Sequence, residues 1–404
     1  MQEVVEFIDK NLVSKTYEQA KYKKFNFWNS QPVPKLEETI KEEGIIKTIN
    51  SSEVSQEPLE LPEDFEWIDI NIENEQERQQ VCNFLQKYYI EDDNNEFRLL
   101  YTEDFLKWVF DRPNKEFTIC KGVIVKKNEV LVGFISGQLG RTQINKTQLE
   151  TAEVDFLCVH PKLRKKQLAS VLIKEITRVF ELKGIKQAIF TSARYVPKPF
   201  FTAQYFHRPL NMEVLLETGF SKKPEKTPIE SLIKYFRLPS KNSSNFKIME
   251  ELDIEGAFKK LESYMVRYNC HHVFSMEEFT KLFFNNKFVT ACVMLNDEGQ
   301  VQDFISYYYL PSKVLKNNSK HELIKTAYLY YYSSTVETAY QLIKELLILA
   351  KKNGIDVMNA LDIMENKEIL KELNFEPGTG NLNYYFYNWR TRDLNANQIC
   401  KILV

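Results

Sequence analysis

The clearest pattern of apolar and polar positions lies near the middle of the chain. Residues 154–159 are mostly apolar and β-prone, and Pro161 ends this run. The apolar side chains that follow have the spacing of one helical face: Leu168, Leu172, Ile176 and Val179. The pattern therefore predicts a strand, a short loop over residues 160–167 and an amphipathic helix.

Similar patterns predict further elements on both sides of this segment. Residues 117–126 and 130–138 alternate like the two strands of a hairpin. Residues 65–70 and 187–191 are typical of strands, whereas residues 74–88 are typical of a helix. Strands and helices thus follow one another as in an α/β protein.

Short sequence matches recur 170 residues apart along the chain, and we call this separation the repeat offset. They are Phe134-Ile-Ser136 with Phe304-Ile-Ser306, Leu172-Ile-Lys-Glu175 with Leu342-Ile-Lys-Glu345, and Gly184-Ile185 with Gly354-Ile355. Three matches in one register favour two copies of one α/β unit. Residues 221–245 between the copies are polar and rich in Lys, Pro, Ser and Asn. We therefore assign an N-terminal half to residues 1–225, a linker to 226–245 and a C-terminal half to 246–404.

Composition excludes several classes of protein. The chain has 404 residues, of which 43% are hydrophobic and 27% charged, as expected of a globular protein of two domains. A net charge of −2 argues against a nucleic-acid partner. The six cysteines and five histidines lack the spacing of a disulfide frame or a metal site, so we predict no metal. There is no signal peptide and no run of about 18 apolar residues, which predicts a cytoplasmic protein without a transmembrane segment.

The loop over residues 160–167 carries the candidate chemistry. Its cations Arg164, Lys165 and Lys166 directly precede the predicted helix. The first N–H groups of a helix lack intrahelical partners, and this end of the helix dipole is positive, so the loop favours a diphosphate. Arg164-x-x-Gln167-x-Ala169 resembles the acyl-CoA pyrophosphate loop of the GNAT superfamily, Q/R-x-x-G-x-G/A. Residues 330–337, opposite it in the second copy, contain no cation, so only the first half should bind CoA.

Longer stretches resemble eukaryotic N-myristoyltransferase, from about residue 25 to residue 404. Asn359-Ala-Leu-Asp-Ile-Met-Glu-Asn366 resembles the N-A-L-D-x-M-E-N motif of that family, and residues 378–389 resemble G-D-G-N-L-x-Y-Y-L-Y-N-W. The resemblance implies an α/β (α+β) fold of two tandem GNAT-like units, related by an internal pseudo-twofold repeat, with a mixed central sheet flanked by helices. It also implies an acyltransferase that moves myristate from myristoyl-CoA to the N-terminal glycine amine of target proteins. Myristoyl-CoA would be the co-substrate, and no cofactor would be required.

The resemblance assigns residues to both substrates. Those implied to bind myristoyl-CoA are Phe25, Asn26, Phe27, Trp28, Phe156, Leu157, Cys158, Val159, Arg164, Lys165, Lys166, Gln167, Leu168 and Ala169. Those implied to bind the peptide are Tyr89, Asp92, Asp93, Phe97, Tyr101, Thr191, Tyr205, His207, Tyr308, Ser312, Tyr328, Thr379, Gly380, Leu382, Leu403 and Val404. Several positions depart from the family pattern, conservatively at Phe206 and Pro209. Leu99 replaces an aromatic residue, Thr379 an acid and Gln167 a basic residue.

The family resemblance also implies how the reaction is catalysed. The backbone amides of Phe156 and Leu157 would form the oxyanion hole, which requires the strand to bulge. The terminal carboxylate of Val404 would accept the proton of the amine, and Thr191 would lie near that amine. The apolar residues 402–404 should place this carboxylate in a buried setting.

Two other functions remain open at this point. A GNAT-type N-acetyltransferase would use the same loop, and it would prefer acetyl-CoA. A non-catalytic protein that binds acyl-CoA or lipidated peptides would release no CoA thiol. The expected partners of the transferase are myristoyl-CoA and proteins with an N-terminal glycine. Because no polybasic extension is present at the N-terminus, transient ribosome association is also left open.

Overall fold

The computed structural model describes residues 16–89, 96–315 and 319–404. Its α-helices are α1 Tyr17–Lys21, α2 Asn26–Asn29, α3 Glu75–Tyr88, α4 Glu103–Phe110, α5 Leu168–Leu182, α6 Met212–Glu217, α7 Ile229–Tyr235, α8 Ile254–Met265, α9 Met276–Phe283, α10 Ala339–Lys352 and α11 Asn366–Glu372. Its strands are β1 Gly44–Ile45, β2 Phe65–Asp69, β3 Phe97–Leu99, β4 Ile119–Val125, β5 Val130–Ile144, β6 Thr147–Val159, β7 Gln187–Ser192, β8 Phe201–Pro209, β9 Phe246–Ile248, β10 Cys270–His272, β11 Val289–Leu295, β12 Val301–Tyr309, β13 Ser312–Val314, β14 Leu323–Ile324, β15 Thr326–Ser333, β16 Val357–Leu361, β17 Glu376–Tyr387, β18 Trp389–Arg390 and β19 Ile399–Cys400.

The central sheet has nearly the same order of strands whether it is followed from its β2 edge or from its β9 edge. Its strands run in the order β2-β4-β5-β6-β7-β17-β8-β16-β15-β12-β11-β9, and β10 and β19 extend it beside β5. Along the twelve-strand order, each half has one parallel pair, β6 with β7 and β15 with β16, among antiparallel neighbours, and β19 also runs parallel to β10. The last strand of each half lies in the other half of the sheet, since β17 pairs with β7 and β8 pairs with β16.

The structure confirms the predicted repeat and fold class. Strands β4 and β11 begin at Ile119 and Val289, and strands β7 and β16 begin at Gln187 and Val357, so both pairs of strands are separated by the repeat offset. The fold therefore consists of two like α/β units in one mixed sheet. The division at residues 225 and 246 stays a prediction, and α7 lies within the residues assigned to the linker.

Helix α5 packs against the sheet through the face that the sequence indicates. Leu172 and Ile176 are buried there, together with Phe180 rather than Val179. A Cβ at Gly137 would lie 2.7 Å from the Phe180 ring, so glycine is needed for this close packing. The packing fixes the N-terminal end of α5 beside the end of β6, where the basic loop connects them.

Candidate active site

Strand β6 bulges at the place where the oxyanion hole is predicted. Its register with β5 shifts between Phe134 and Ser136, and Phe156 adopts a left-handed backbone with φ of +54°. The Ser136 hydroxyl donates a hydrogen bond to the Asp155 carbonyl at 3.1 Å, which supports the bulge. A left-handed non-glycine residue is strained, and such strain persists only where the surroundings enforce it.

Aromatic rings enclose the strained residue. The Phe156 ring lies 5.7 Å from Tyr89, 5.4 Å from Tyr101 and 5.7 Å from Phe110, measured between ring centroids. Tyr89 and Tyr101 also contact each other at 5.6 Å. Two residues assigned to the peptide site therefore pack directly on the residue assigned to the oxyanion hole.

The corresponding bulge in the C-terminal half is closed by a side chain. Ser306 is the counterpart of Ser136 at the repeat offset, and its hydroxyl donates to the Tyr331 carbonyl at 2.9 Å. It also accepts the Tyr331 N–H at 3.2 Å. Strand β15 has no left-handed residue in its described range, Thr326–Ser333. The second bulge thus uses its own amide internally and is a poor candidate for an oxyanion hole.

The basic loop has the geometry of a tight turn into a helix. A 3₁₀ turn over Pro161–Leu163 precedes it, and Lys165 and Gln167 are left-handed with φ of +72° and +62°. Arg164 donates hydrogen bonds to the Val159 carbonyl at 3.2 Å and to the Tyr88 carbonyl at 2.9 Å. Arg164 therefore holds the loop in place, in addition to its predicted contact with CoA. The side chain of Gln167, the N-cap residue of α5, makes no capping hydrogen bond.

The left-handed backbone at Gln167 explains why the GNAT superfamily pattern has glycine at this position. A left-handed backbone costs a non-glycine residue roughly 1–2 kcal/mol, and glycine adopts it freely. We expect Gln167→Gly to raise the free energy of unfolding by about 1 kcal/mol, measured by chemical denaturation. Gln167→Ala keeps the Cβ and serves as the control, because it should bring no such gain. A Gly variant no more stable than the Ala variant would contradict this reading.

A carboxylate fills the corresponding loop of the C-terminal half. Asp303 is fully buried and accepts hydrogen bonds from the backbone N–H groups of Thr335, Val336 and Glu337. The Thr335 hydroxyl also donates to it, at 3.0 Å. This loop precedes α10 as the basic loop precedes α5, and Gly133 is the counterpart of Asp303 at the repeat offset. The filled loop agrees with the expectation that only the N-terminal half binds a diphosphate.

The N-terminal segment lies on the sheet beside Thr191. Trp28, in α2 with Asn26 and Phe27, stacks on Phe190 with ring centroids 5.5 Å apart, and Phe190 stacks in turn on Tyr385 at 5.1 Å. Phe25, just before α2, is nearly buried. The aromatic segment assigned to the acyl-CoA site is therefore packed next to the strand that carries Thr191.

A wall of tyrosines extends from Phe156 into the C-terminal half. The rings of Tyr308 and Tyr328 stack at 4.9 Å and are almost parallel. Burial raises the pKa of Tyr101, Tyr205 and Tyr308, and each of the three has at least one other tyrosine of the wall close enough to raise its pKa further. Burial also raises the pKa of Tyr328 to about 12. These phenols are neutral near pH 7, so the wall can donate hydrogen bonds to a peptide without carrying charge.

Other residues of the predicted peptide site lie further from Phe156. His207 is paired with Asn359 at 2.7 Å through Nδ1, and a Cβ at Gly378 would lie 2.3 Å from its Nε2. Phe97 and Ser312 belong to the separate sheet of β3, β13 and β14. The remaining residues of the set are exposed Thr379 and Gly380 and half-buried Leu382, all on β17. Asp92 and Asp93 lie outside the described residues.

The last residues of the chain dock into the protein. The Tyr384 hydroxyl donates to the Lys401 carbonyl at 3.0 Å, and the Ile402 N–H donates to the Tyr331 hydroxyl at 2.9 Å. Leu403 and Val404 are half-buried against the main core. Tyr384 pairs with Thr191 across β17 and β7. The chain end therefore lies over the central strands of the sheet, where β17 pairs with β7.

Asp155 is a candidate functional residue that the sequence prediction missed. It directly precedes Phe156, and its carboxylate makes no hydrogen bond or ion pair with another described residue. Burial and the nearby Glu153 carboxylate raise the pKa of Asp155 to about 7, against the opposing effect of Arg112 and Lys401. The available signal was an acid within the otherwise apolar residues 154–159.

The raised pKa of Asp155 predicts a pH-dependent stability. A carboxyl whose pKa is higher in the folded state stabilises the fold at low pH, and this contribution is lost as the pH rises through about 7. We expect the stability gained by Asp155→Asn to increase between about pH 5 and about pH 8, measured by chemical denaturation. The exposed Asp297→Asn is the control. An effect of Asp155→Asn that is equal at both pH values would contradict the assignment.

Together, the fold and site define a class of protein. The N-terminal half has a strained bulge beside a basic loop that opens a helix, and in the C-terminal half Ser306 and Asp303 fill the corresponding places. This arrangement is expected of an acyl-CoA-dependent acyltransferase. Two family models identify the class further. The myristoyl-CoA:protein N-myristoyltransferase N-terminal domain matches residues 45–203, and the C-terminal domain of the same family matches residues 217–401. The chain belongs to the N-myristoyltransferase family.

Individual relatives agree with this assignment. A glycylpeptide N-tetradecanoyltransferase of Plasmodium falciparum is 38% identical over 94% of this chain and 93% of its own length. Glycylpeptide N-tetradecanoyltransferase 2 of Bos taurus is 37% identical over 96% of this chain and 78% of its own. The crystal structure of Saccharomyces cerevisiae N-myristoyltransferase with bound myristoyl-CoA matches with a TM-score of 0.86 and 33% identity, covering 91% of this chain and 93% of that one. The predicted family is thereby confirmed.

Residues 16–89, 96–315 and 319–404 contain no group of three or more side chains that could hold a metal ion. Within the same residues, no helix is long and apolar enough to cross a membrane.

Proposed function

We propose that this protein transfers myristate from myristoyl-CoA to the N-terminal glycine amine of target proteins. The observation that carries the proposal is the strained bulge at Phe156, which lies on β6 between Glu153, a contact of Lys401, and the basic loop. The acyl-CoA would bind the N-terminal half through the Phe25–Trp28 segment and the basic loop. The peptide would bind along the tyrosine wall that continues into the C-terminal half.

The proposed reaction is a direct attack without a covalent enzyme intermediate. The amine nitrogen attacks the thioester carbon, and the amides of Phe156 and Leu157 stabilise the oxyanion of the tetrahedral intermediate. The intermediate collapses with cleavage of the carbon–sulfur bond, and the second proton of the attacking nitrogen passes to the departing sulfur, so that CoA leaves as its thiol. The attacking ammonium first gives one proton to the carboxylate of Val404. Buried Cys158 has no covalent step in this scheme.

The carboxylate base requires a special environment. A free α-carboxyl has a pKa of roughly 3.5 and an α-amino group roughly 7.8, so proton transfer is uphill by about 6 kcal/mol. Burial disfavours both charged forms and brings the two pKa values closer together. The packing of Leu403 and Val404 against the core supplies such a setting.

Selection of glycine follows from the crowding around the amine. Thr191 and the docked chain end would leave no room for a Cβ on the first residue of the peptide. Target proteins would expose this glycine once the initiator methionine is removed, with Ser or Thr a few residues on. We place this reaction in the cytoplasm, where such chains are made. Transient association with ribosomes stays a prediction that cosedimentation can test.

A comparison of acyl donors and peptides tests the proposed function. We expect a Gly-initiated peptide to be acylated with myristoyl-CoA far better than with acetyl-CoA, as followed by mass spectrometry of the peptide. The matched peptide that begins with Ala should not be acylated. A preference for acetyl-CoA would instead identify an N-acetyltransferase.

A further inference from the structure

A series of buried polar side chains connects the chain end to the strand that bears Phe156. Lys401 is fully buried although it carries a charge, and its neighbours in residues 399–404 are apolar. Its ammonium group contacts the Glu153 carboxylate, and it lies 2.7 Å from Nδ1 of His272. Glu153 is in β6, three residues before Phe156. The contact between Lys401 and Glu153 therefore joins two residues that each lie three positions from a proposed catalytic group, Val404 and Phe156 respectively.

His272 lies between two buried acids, Glu153 and Glu278. Its Nδ1 is 2.7 Å from Nζ of Lys401 and 3.3 Å from the Glu153 carboxylate. Its Nε2 lies 3.0 Å from the Glu278 carboxylate. Glu278 also accepts from Arg112 at 2.9 Å. Two acids and two cations thus alternate around the His272 ring.

The two acids are held ionised by this arrangement. Burial would raise the pKa of Glu153, but the Lys401 ammonium and His272 hold it well below its usual value. Burial opposes ionisation of Glu278 as well, yet His272 and Arg112 lower its pKa to about 2. The backbone makes room for the pair, because a Cβ at Gly140 would lie 2.1 Å from Oε1 of Glu153. The buried Lys401 ammonium is therefore most stable where it contacts the Glu153 carboxylate.

The position of Lys401 limits where the final carboxylate can lie. Three residues span at most about 10 Å, so the Val404 carboxylate stays within that distance of the Lys401 backbone. Phe156 is also three residues from Glu153 and hence roughly 10 Å along the strand. The reach of the chain end thus matches the distance to the oxyanion hole.

We infer that Lys401 is a positioning residue, which holds the last three residues so that the Val404 carboxylate faces the amine beside Phe156. The inference rests on the proposed role of that carboxylate as the base. The hydrogen bonds from Tyr384 and Tyr331 fix the backbone of residues 401 and 402, and the Lys401 ion pair fixes their register relative to β6.

The first measurement is independent of catalysis. Release of Val404 by a carboxypeptidase follows the population in which the chain end is undocked. We expect Lys401→Met to speed this release by about tenfold or more, whereas Lys121→Met should leave it unchanged. Lys121 is a matched control because it is also a buried lysine that pairs with an acid, Asp69 at 2.5 Å, but it lies in β4, outside the buried series. Equal release from Lys401→Met and the wild-type protein would overturn the inference.

The second measurement is the turnover of the same proteins. We expect Lys401→Met to lower kcat by about tenfold or more and to leave the Kd for myristoyl-CoA unchanged. The double variant Glu153→Gln/Lys401→Met leaves no buried charge without its partner, so it should regain stability but not kcat. These kcat values are compared with that of protein lacking Leu403 and Val404. Normal kcat in Lys401→Met and the double variant, when the truncated protein is inactive, would overturn the inference and leave the proposed base intact. Normal kcat in the truncated protein would remove the base itself, and the inference with it.

Discussion

Removal of Leu403 and Val404 is expected to lower kcat by about 100-fold or more, since a general base contributes roughly 10²–10⁴-fold. The truncated chain still ends in a carboxylate, but that carboxylate lies two residues short of the proposed position. The Kd for myristoyl-CoA should change little, because the basic loop and α5 are formed by other parts of the chain. Stopped-flow release of the CoA thiol measures kcat, and calorimetric titration measures the Kd.

Two further variants separate the carboxylate from the side chain. Val404→Ala keeps the terminal carboxylate and should lose far less activity than the truncated protein. An extension of a few residues beyond Val404 keeps the side chain but moves the carboxylate, so it should be as inactive as the truncation. Normal turnover by the extended protein would contradict the assignment of the base, and a water held by Thr191 would become the first alternative.

Asp303→Ala is expected to lower the free energy of unfolding by about 3 kcal/mol. The Asp303 carboxylate accepts three backbone N–H groups and one hydroxyl, and hydrogen bonds to charged groups are individually worth roughly 1.5–3 kcal/mol. Water can reach part of this loop, because Val336 is 59% exposed, so the loss is smaller than the full sum. In a chain of this length, such a loss lowers Tm by about 4 °C.

The matched control for this prediction is Asp297→Ala. Asp297 is exposed in the turn before β12, so its removal should leave Tm nearly unchanged. Asp303→Asn keeps one acceptor oxygen and should give an intermediate Tm. If Asp303→Ala is as stable as Asp297→Ala, then Asp303 does not hold the loop. The stoichiometry of myristoyl-CoA binding should stay at one in every variant, because residues 330–337 supply no cation for a second diphosphate.

Features that depend on neighbouring residues could be predicted from the sequence. Apolar spacing indicated the strand, loop and helix around residues 154–182, and the constant repeat offset indicated two like halves. The apolar residues near Val404 indicated a docked chain end. Each of these signals is read directly from the order of residues, because period and composition determine which face of an element is buried.

Features that depend on distant residues could not be predicted. Nothing in either half alone indicates that β8 and β17 lie in the opposite half of the sheet. Lys401 and Glu153 are 248 residues apart in sequence, and Asp303 reaches a loop that begins 32 residues later. The signal for both of these buried contacts was a charged residue next to apolar ones. Such a residue marks a buried partner, but it does not identify which residue the partner is.

The central claim is tested most directly by one measurement on the wild-type protein. Protein preloaded with myristoyl-CoA is mixed with a Gly-initiated peptide, and the free CoA thiol and the myristoylated peptide are both quantified in a single turnover. The account predicts equal amounts of the two products, and neither product when the peptide is omitted or begins with Ala. Tight binding of myristoyl-CoA without thiol release would contradict it, and the protein would then be an acyl-CoA binding protein rather than a transferase.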